Sequence, residues 1–174
     1  MRASEQGVGL AEIMFSAVLV FLAIFGAIAL VNIDRDDGRT QKALTQRNIM
    51  AASIKRHYDG NYRRLSAIRM IEDGAVPVDM LQGIQIVNPY GGLILASGGR
   101  ICGGSDRDFC LTFEDIKKSG CAALVVGEIF DAVRIGSKSF VSAPISSERA
   151  KELCENGSLF RITWRYTHPA LPEE

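Results

Sequence analysis

Val8 to Val31 reads VGLAEIMFSAVLVFLAIFGAIALV, and its only ionisable side chain is Glu12. From Ile13 to Val31 there are 19 residues without a charge, with Ser16 the only polar side chain among them. At 1.5 Å per residue a helix of that length spans about 28 Å, close to the roughly 30 Å of a bilayer's hydrocarbon. The run is a candidate membrane-spanning helix. A carboxylate in its first turn costs on the order of 2.5 to 3.5 kcal/mol where it lies deep, and less near an interface, so Glu12 calls for a functional reason.

Three readings of this stretch compete. A secretory signal peptide has a shorter apolar core, about 7 to 15 residues, before a small-residue cleavage site, and Asn32-Ile33-Asp34-Arg35 offers none. A plain single-pass anchor explains the apolar run but leaves Glu12 without a role. The third reading uses the seven-residue polar leader Met1-Arg2-Ala3-Ser4-Glu5-Gln6-Gly7, which ends in Gly, with Glu12 the fifth residue after it.

This constellation resembles the type IV pilin family and its type II secretion pseudopilin relatives. In that family a short leader is cut after Gly on the cytoplasmic face and the new terminus is N-methylated. The resemblance implies that Gly7 precedes the cut, that Val8 becomes the N-terminus and that Glu12 serves assembly. The pairing makes physical sense. Cleavage creates an α-ammonium at Val8, methylation preserves its charge, and Glu12 can neutralise that group on a neighbouring subunit. Two unit charges about 4 Å apart at an effective dielectric near 20 attract by about 4 kcal/mol before desolvation is subtracted.

Composition narrows the function classes. Lys plus Arg and Asp plus Glu both number 20, so no net basic field attracts nucleic acid. Cys102, Cys110, Cys121 and Cys154 all follow the apolar run, which fits a domain exported to an oxidising compartment. No CxxC pair occurs and the only histidines are His57 and His168, so neither a zinc site nor a catalytic partner is visible. No phosphate-binding glycine loop or nucleophile elbow is present; Gly98-Gly99-Arg100 and Gly103-Gly104-Ser105 read as hairpin flexibility. The expectation is therefore no catalytic residue, cofactor or metal.

Beyond the charged stretch Asn32 to Arg39, where Gly38 could loosen the helix, helical signal resumes. Ala43, Arg47, Met50, Ile54 and Tyr58 form a stripe that would cover a packed domain, while Gln41, Lys42, Gln46, Lys55 and Arg56 lie mainly elsewhere. Asp59-Gly60-Asn61 should stop the helix. Residues 61–87 suggest only a short helix or apolar loop around Leu65 to Ile71.

Asn88-Pro89-Tyr90-Gly91-Gly92 is a turn signal, and in this position it resembles the Asn-Pro-aromatic-Gly element that type IVb pilins carry just before their first strand. Leu93 to Ile101 and Phe109 to Phe113 then read as two strands, with Cys102 and Cys110 able to face each other across the hairpin. Thr112 is placed to cap a helix running through Asp115 to about Val126 or Gly127, with Ile116, Cys121, Leu124 and Val125 on one face. Ala132 to Ile135 and Lys138 to Val141 are short strand candidates. Ser146 and Ser147 open a short helix to Cys154. Leu159 to Tyr166 alternates strictly, with Phe160, Ile162, Trp164 and Tyr166 on one face and Arg161, Thr163 and Arg165 on the other.

This order of elements resembles the C-terminal half of type IVb pilins. Four cysteines permit three pairings, and the sequence does not choose among them; the resemblance implies Cys121 with Cys154, a choice that leaves Cys102 for Cys110. It further implies an α+β pilin fold. That is a long N-terminal helix, half membrane-embedded and half amphipathic, packed on a C-terminal antiparallel sheet with short helices. Residues 1–7 would be the leader, 8–33 the transmembrane and assembly helix, 34–60 the amphipathic half and 61–174 the head. The implied function is a type IVb prepilin stored in the inner membrane with its head in the periplasm, cut, methylated and polymerised into an extracellular fibre for adhesion or conjugation. Its partners would be other pilin subunits, the prepilin peptidase, the inner-membrane assembly machinery and membrane lipid, with no nucleic acid. A minor pilin or pseudopilin is the alternative, and an anchored periplasmic enzyme or binding domain the alternative from another class.

Overall fold

The structure, a computed structural model, describes residues 10–168, with side chains in the first helix described at 14, 15, 17–22 and from 36 onward. The chain divides into two units, Met1–Asp37 and Gly38–Glu174. Helix α1, Leu10–Tyr58, runs through Gly38 and supplies both. It ends where Asp59 and Gly60 adopt positive φ, and Gly60 does so at no steric cost.

In the second unit one face of α1 is pressed into the core. Ala43, Met50 and Ile54 are fully buried, and Arg47 is 2 % exposed. Gln46, expected outside this stripe, is buried as well. It sits one position from Arg47, next to the buried stripe.

The rest of the unit is an antiparallel sheet with short helices. Ser66 caps α2 (Ala67–Glu72) by accepting from the Arg69 N–H. A small ladder of β1 (Leu81–Gln82) and β2 (Gln85–Ile86) follows, reversing at Gly83, which has φ +62°. The main sheet comprises β3 (Ile94–Gly98), β4 (Asp108–Lys117), β5 (Ala132–Ile135), β6 (Val141–Ser142) and β7 (Leu159–Thr167), in the order β3-β4-β7-β5-β6. Helix α3 spans Lys118–Val125 and α4 spans Ser147–Leu153, the latter capped by Ser146.

The inward residues of β7 make the core. Phe160, Ile162, Trp164 and Tyr166 are all buried. Trp164 meets Phe113 edge-on at 5.2 Å, and Tyr166 stacks on Phe109 at 4.9 Å, contacts worth about 0.5–1.5 kcal/mol each beyond the area they bury.

Three boundaries differ from the sequence expectation. The strand expected to reach Ile101 ends at Gly98, and Gly99–Cys102 form a 3-10 turn. A Cβ on Gly98 would lie 2.2 Å from the Tyr62 carbonyl oxygen and one on Gly99 2.3 Å from that of Ser105, so the chain folds back where only glycines fit. The segment Thr112 to Lys117 is strand, not the start of a helix. A bulge between Phe113 and Ile116, with Asp115 at φ +56°, lets β4 resume pairing with β7, and α3 begins only at Lys118. Between β5 and β6 only two residue pairs form, because residues 136–140 make the turn expected to be partly strand. Thr163, expected on the outer face, is nevertheless covered: its hydroxyl lies 2.9 Å from that of Thr112.

Candidate functional site

Gly7 and Val8 lie outside the described residues. Glu12 falls within α1, and its side chain is outside the description. Nearby, Met14, Phe15, Val18, Leu19, Val20, Phe21 and Leu22 are each more than half exposed. Such consecutive positions cover the whole circumference of a helix, so this stretch has no polar side to give to water. Among the described residues no helix is long and apolar enough to cross a membrane; the sequence run continues to Val31.

The cysteines are joined Cys102 to Cys110 and Cys121 to Cys154. The first bridge ties the turn after β3 to β4. The second ties α3 to the end of α4 within the hydrophobic core.

A second fastening was not read from the sequence. The Arg47 guanidinium donates through Nη1 to the Leu124 carbonyl at 2.9 Å, and the Trp164 indole N–H donates to the same oxygen at 3.2 Å. That carbonyl belongs to the last turn of α3, where unpaired carbonyls carry partial negative charge and favour a cation. The guanidinium also lies over the rings of Trp164 at 5.5 Å and Phe130 at 5.6 Å. Burial pushes the Arg47 pKa below its ordinary value. One cation thus joins α1, α3 and β7. A basic residue within a stripe of Ala43, Met50 and Ile54 was the available signal.

The Asn88 to Gly92 turn is a third fastening. Asn88 donates through Nδ2 to the Glu114 carbonyl at 2.7 Å, seating the turn on the β4 bulge, and accepts from the Tyr90 N–H at 2.8 Å. Tyr90 then reaches across to α1, its hydroxyl 2.6 Å from Thr40 Oγ1. Gly120 of α3 lets it pass: a Cβ there would lie 2.0 Å from the Tyr90 hydroxyl oxygen. Gly120→Ala should therefore cost about 1–3 kcal/mol in urea unfolding, the range for overpacking. Tyr90→Ala in the same chain should recover part of that loss, and purely additive losses would place the strain elsewhere.

At the surface Asp106 accepts from Arg63 at 2.7 Å and from Arg100 at 2.7 Å. The Arg63 bond leads in holding its carboxyl below the usual carboxylate range. His57 points Nδ1 at the Ser53 carbonyl, 3.0 Å away, as a helix residue often does. Among the described residues no group of three or more His, Cys, Asp or Glu could hold a metal ion.

A helix followed by a five-stranded antiparallel sheet, with a disulfide linking the two short helices that flank β5 and β6, limits the families that fit. Residues 37–166 match the family described as PilS N terminal. The chain belongs to that family. Among solved structures, the crystal structure of a type IVb pilin from Salmonella typhi is similar at a TM-score of 0.56 and 16 % identity, covering 72 % of this chain and 98 % of that one. TcpA, a type IV pilin from the Vibrio cholerae El Tor biotype, is similar at 0.55 and 16 % identity, covering 75 % and 99 %. A comparison with curated proteins gave no match. This PilS family member therefore has the type IVb pilin fold, an α+β fold shared with structural subunits. In it, Arg47, the Asn88 to Gly92 turn and the Cys121–Cys154 bridge all serve to hold α1 and the short helices on the sheet.

Proposed function

We propose that the protein is the structural subunit of a type IVb pilus, made as a prepilin, cut after Gly7, methylated at Val8 and polymerised through its N-terminal helix. The observation that carries this reading is the exposed apolar surface of α1 at Met14, Phe15 and Val18 to Leu22, shortly after Glu12. Such a surface needs lipid before assembly and like helices after it. The prepilin would sit in the inner membrane with its head in the periplasm, meeting the prepilin peptidase and the assembly machinery there. The fibre would then carry the head outside the cell. Family membership and the pilin fold support a homopolymer of such heads.

Processing is the direct test. Gly7 presents no side chain to the protease, and the apolar run holds the scissile bond at the membrane face. Gly7→Glu should leave only full-length chain in the membrane fraction, whereas the unaltered protein should begin at N-methylated Val8 in mass spectrometry of sheared surface material. A mature terminus at any other residue would sink this reading.

A further inference from the structure

Asn156-Gly157 is the only Asn-Gly pair in the chain. It stands in the bend between α4 and β7, where Asn156, Gly157 and Ser158 are all exposed. The bend requires its glycine: Gly157 has φ +146°, and a Cβ there would lie 3.1 Å from the Phe160 ring. Among the described residues neither the Asn156 side chain nor the Gly157 N–H has a hydrogen-bond partner. A side-chain amide and the next backbone nitrogen are thus open to water, with no side chain on Gly157 to crowd their approach. The other asparagines lack this arrangement. Asn32 and Asn48 lie inside α1, where the following N–H is committed to the helix. Asn88 donates its amide to the Glu114 carbonyl and precedes Pro89, which has no N–H. Asn61 precedes Tyr62, a large and fully buried residue.

We propose that Asn156 is a modification site, deamidated without an enzyme to aspartate and isoaspartate. The Gly157 nitrogen attacks Cγ of Asn156 and gives up its proton, the bond from Cγ to the side-chain nitrogen breaks, and ammonia leaves. Water then opens the resulting cyclic imide at either carbonyl and returns a proton to the peptide nitrogen. Nothing is oxidised or reduced, and water is the only reagent. Asn156-Gly157-Ser158 also has the pattern of an N-glycan acceptor, but that reaction needs a sugar donor and an enzyme, whereas the imide route uses only groups that the bend already presents. The product changes the head locally. The Glu155 carbonyl accepts from Lys118 Nζ at 2.9 Å and the Ser158 carbonyl from the Lys118 N–H at 3.3 Å. The new carboxylate therefore arises in a bend that Lys118 holds on both sides, and isoaspartate adds a backbone carbon to that span. The inference goes beyond the pilus reading and does not depend on processing at Gly7.

The test incubates the full-length chain in detergent micelles, in neutral buffer at growth temperature, with samples taken over days. Each sample is digested and mapped by mass spectrometry with electron-transfer fragmentation, which separates aspartate from isoaspartate. Asn156 should convert to both, while Asn48, Asn61 and Asn88 stay intact over the same interval. Acidic and basic side chains are equal in number, so conversion leaves the chain with one net negative charge, and an acidic band should grow in isoelectric focusing at the rate seen by mapping. Gly157→Ala should slow the conversion severalfold. Should that variant misfold, Asn156→Gln at the exposed position keeps the bend's glycine and should abolish the acidic band. Asn156 intact after the incubation, aspartate formed without isoaspartate, Asn61 converted as fast as Asn156, or a sugar mass on Asn156 in chain isolated from cells would each overturn the proposal.

Discussion

A Glu12→Val variant is expected to accumulate in the inner membrane, folded and disulfide-bonded, with few or no fibres. Glu12 belongs to the unit Met1–Asp37, whereas the core, both disulfides and, among the described residues, every strand belong to Gly38–Glu174. Its loss therefore has no route to unfolding the sheet. What the substitution removes, in the proposed assembly, is the lipid-buried partner of a neighbour's Val8 ammonium. Removing one partner of a buried ion pair typically costs about 3–5 kcal/mol, because the other charge stays buried and uncompensated. That cost recurs at each docking step. A plain anchor predicts the opposite sign, since exchanging a carboxylate for Val favours membrane residence and disturbs nothing else. The comparison is shearing followed by electron microscopy, beside non-reducing electrophoresis of the membrane fraction. A normal fibre yield would remove Glu12 from assembly.

The parts of this fold that announce themselves in sequence are those with an uninterrupted period. The α1 stripe from Ala43 to Tyr58 keeps the helical spacings of three and four, the run from Phe160 to Tyr166 alternates strictly, and both face the core. What was not legible depends on backbone departures that carry little local signal. Thr112 reads as a helix cap because Asp115 follows it and apolar Cys121, Leu124 and Val125 fall at helical spacing beyond it. The bulge at Asp115 shifts the register within β4, so Ile116 is buried as a strand residue. The turn at Gly99 rests on contacts with Ser105 and Asp108 that no pattern displays. Arg47 shows a related limit. Its place in the buried stripe was legible, but its distant partners are a carbonyl 77 residues away and two aromatic rings brought in by separate elements.

Cys154→Ser is expected to destabilise the head by roughly 2 to 5 kcal/mol and to lower the amount of protein in the membrane fraction. The Cys121–Cys154 bridge closes a sequence separation of 33 residues, against 8 for Cys102–Cys110. Chain entropy in the unfolded state assigns about 3.8 kcal/mol to the longer loop and about 2.6 to the shorter. The longer loop is also the one whose loss is felt most widely. It contains most of α3, with β5, β6 and α4, and β5 enters the sheet through a four-residue pairing with β7. Without the bridge, α4 is held by Ala150 and Leu153 packing against α3 and by the polar bonds of its ends. Both half-cystines are at most 3 % exposed, so the variant also buries a serine hydroxyl and a lone Cys121 thiol in an apolar site. Cys102→Ser should cost less, since its loop is short and Cys110 stays within the β4 ladders. Urea unfolding of the two variants in parallel checks the order. Equal losses, or a larger loss for Cys102→Ser, would mean that local strand geometry rather than loop closure governs the head's stability.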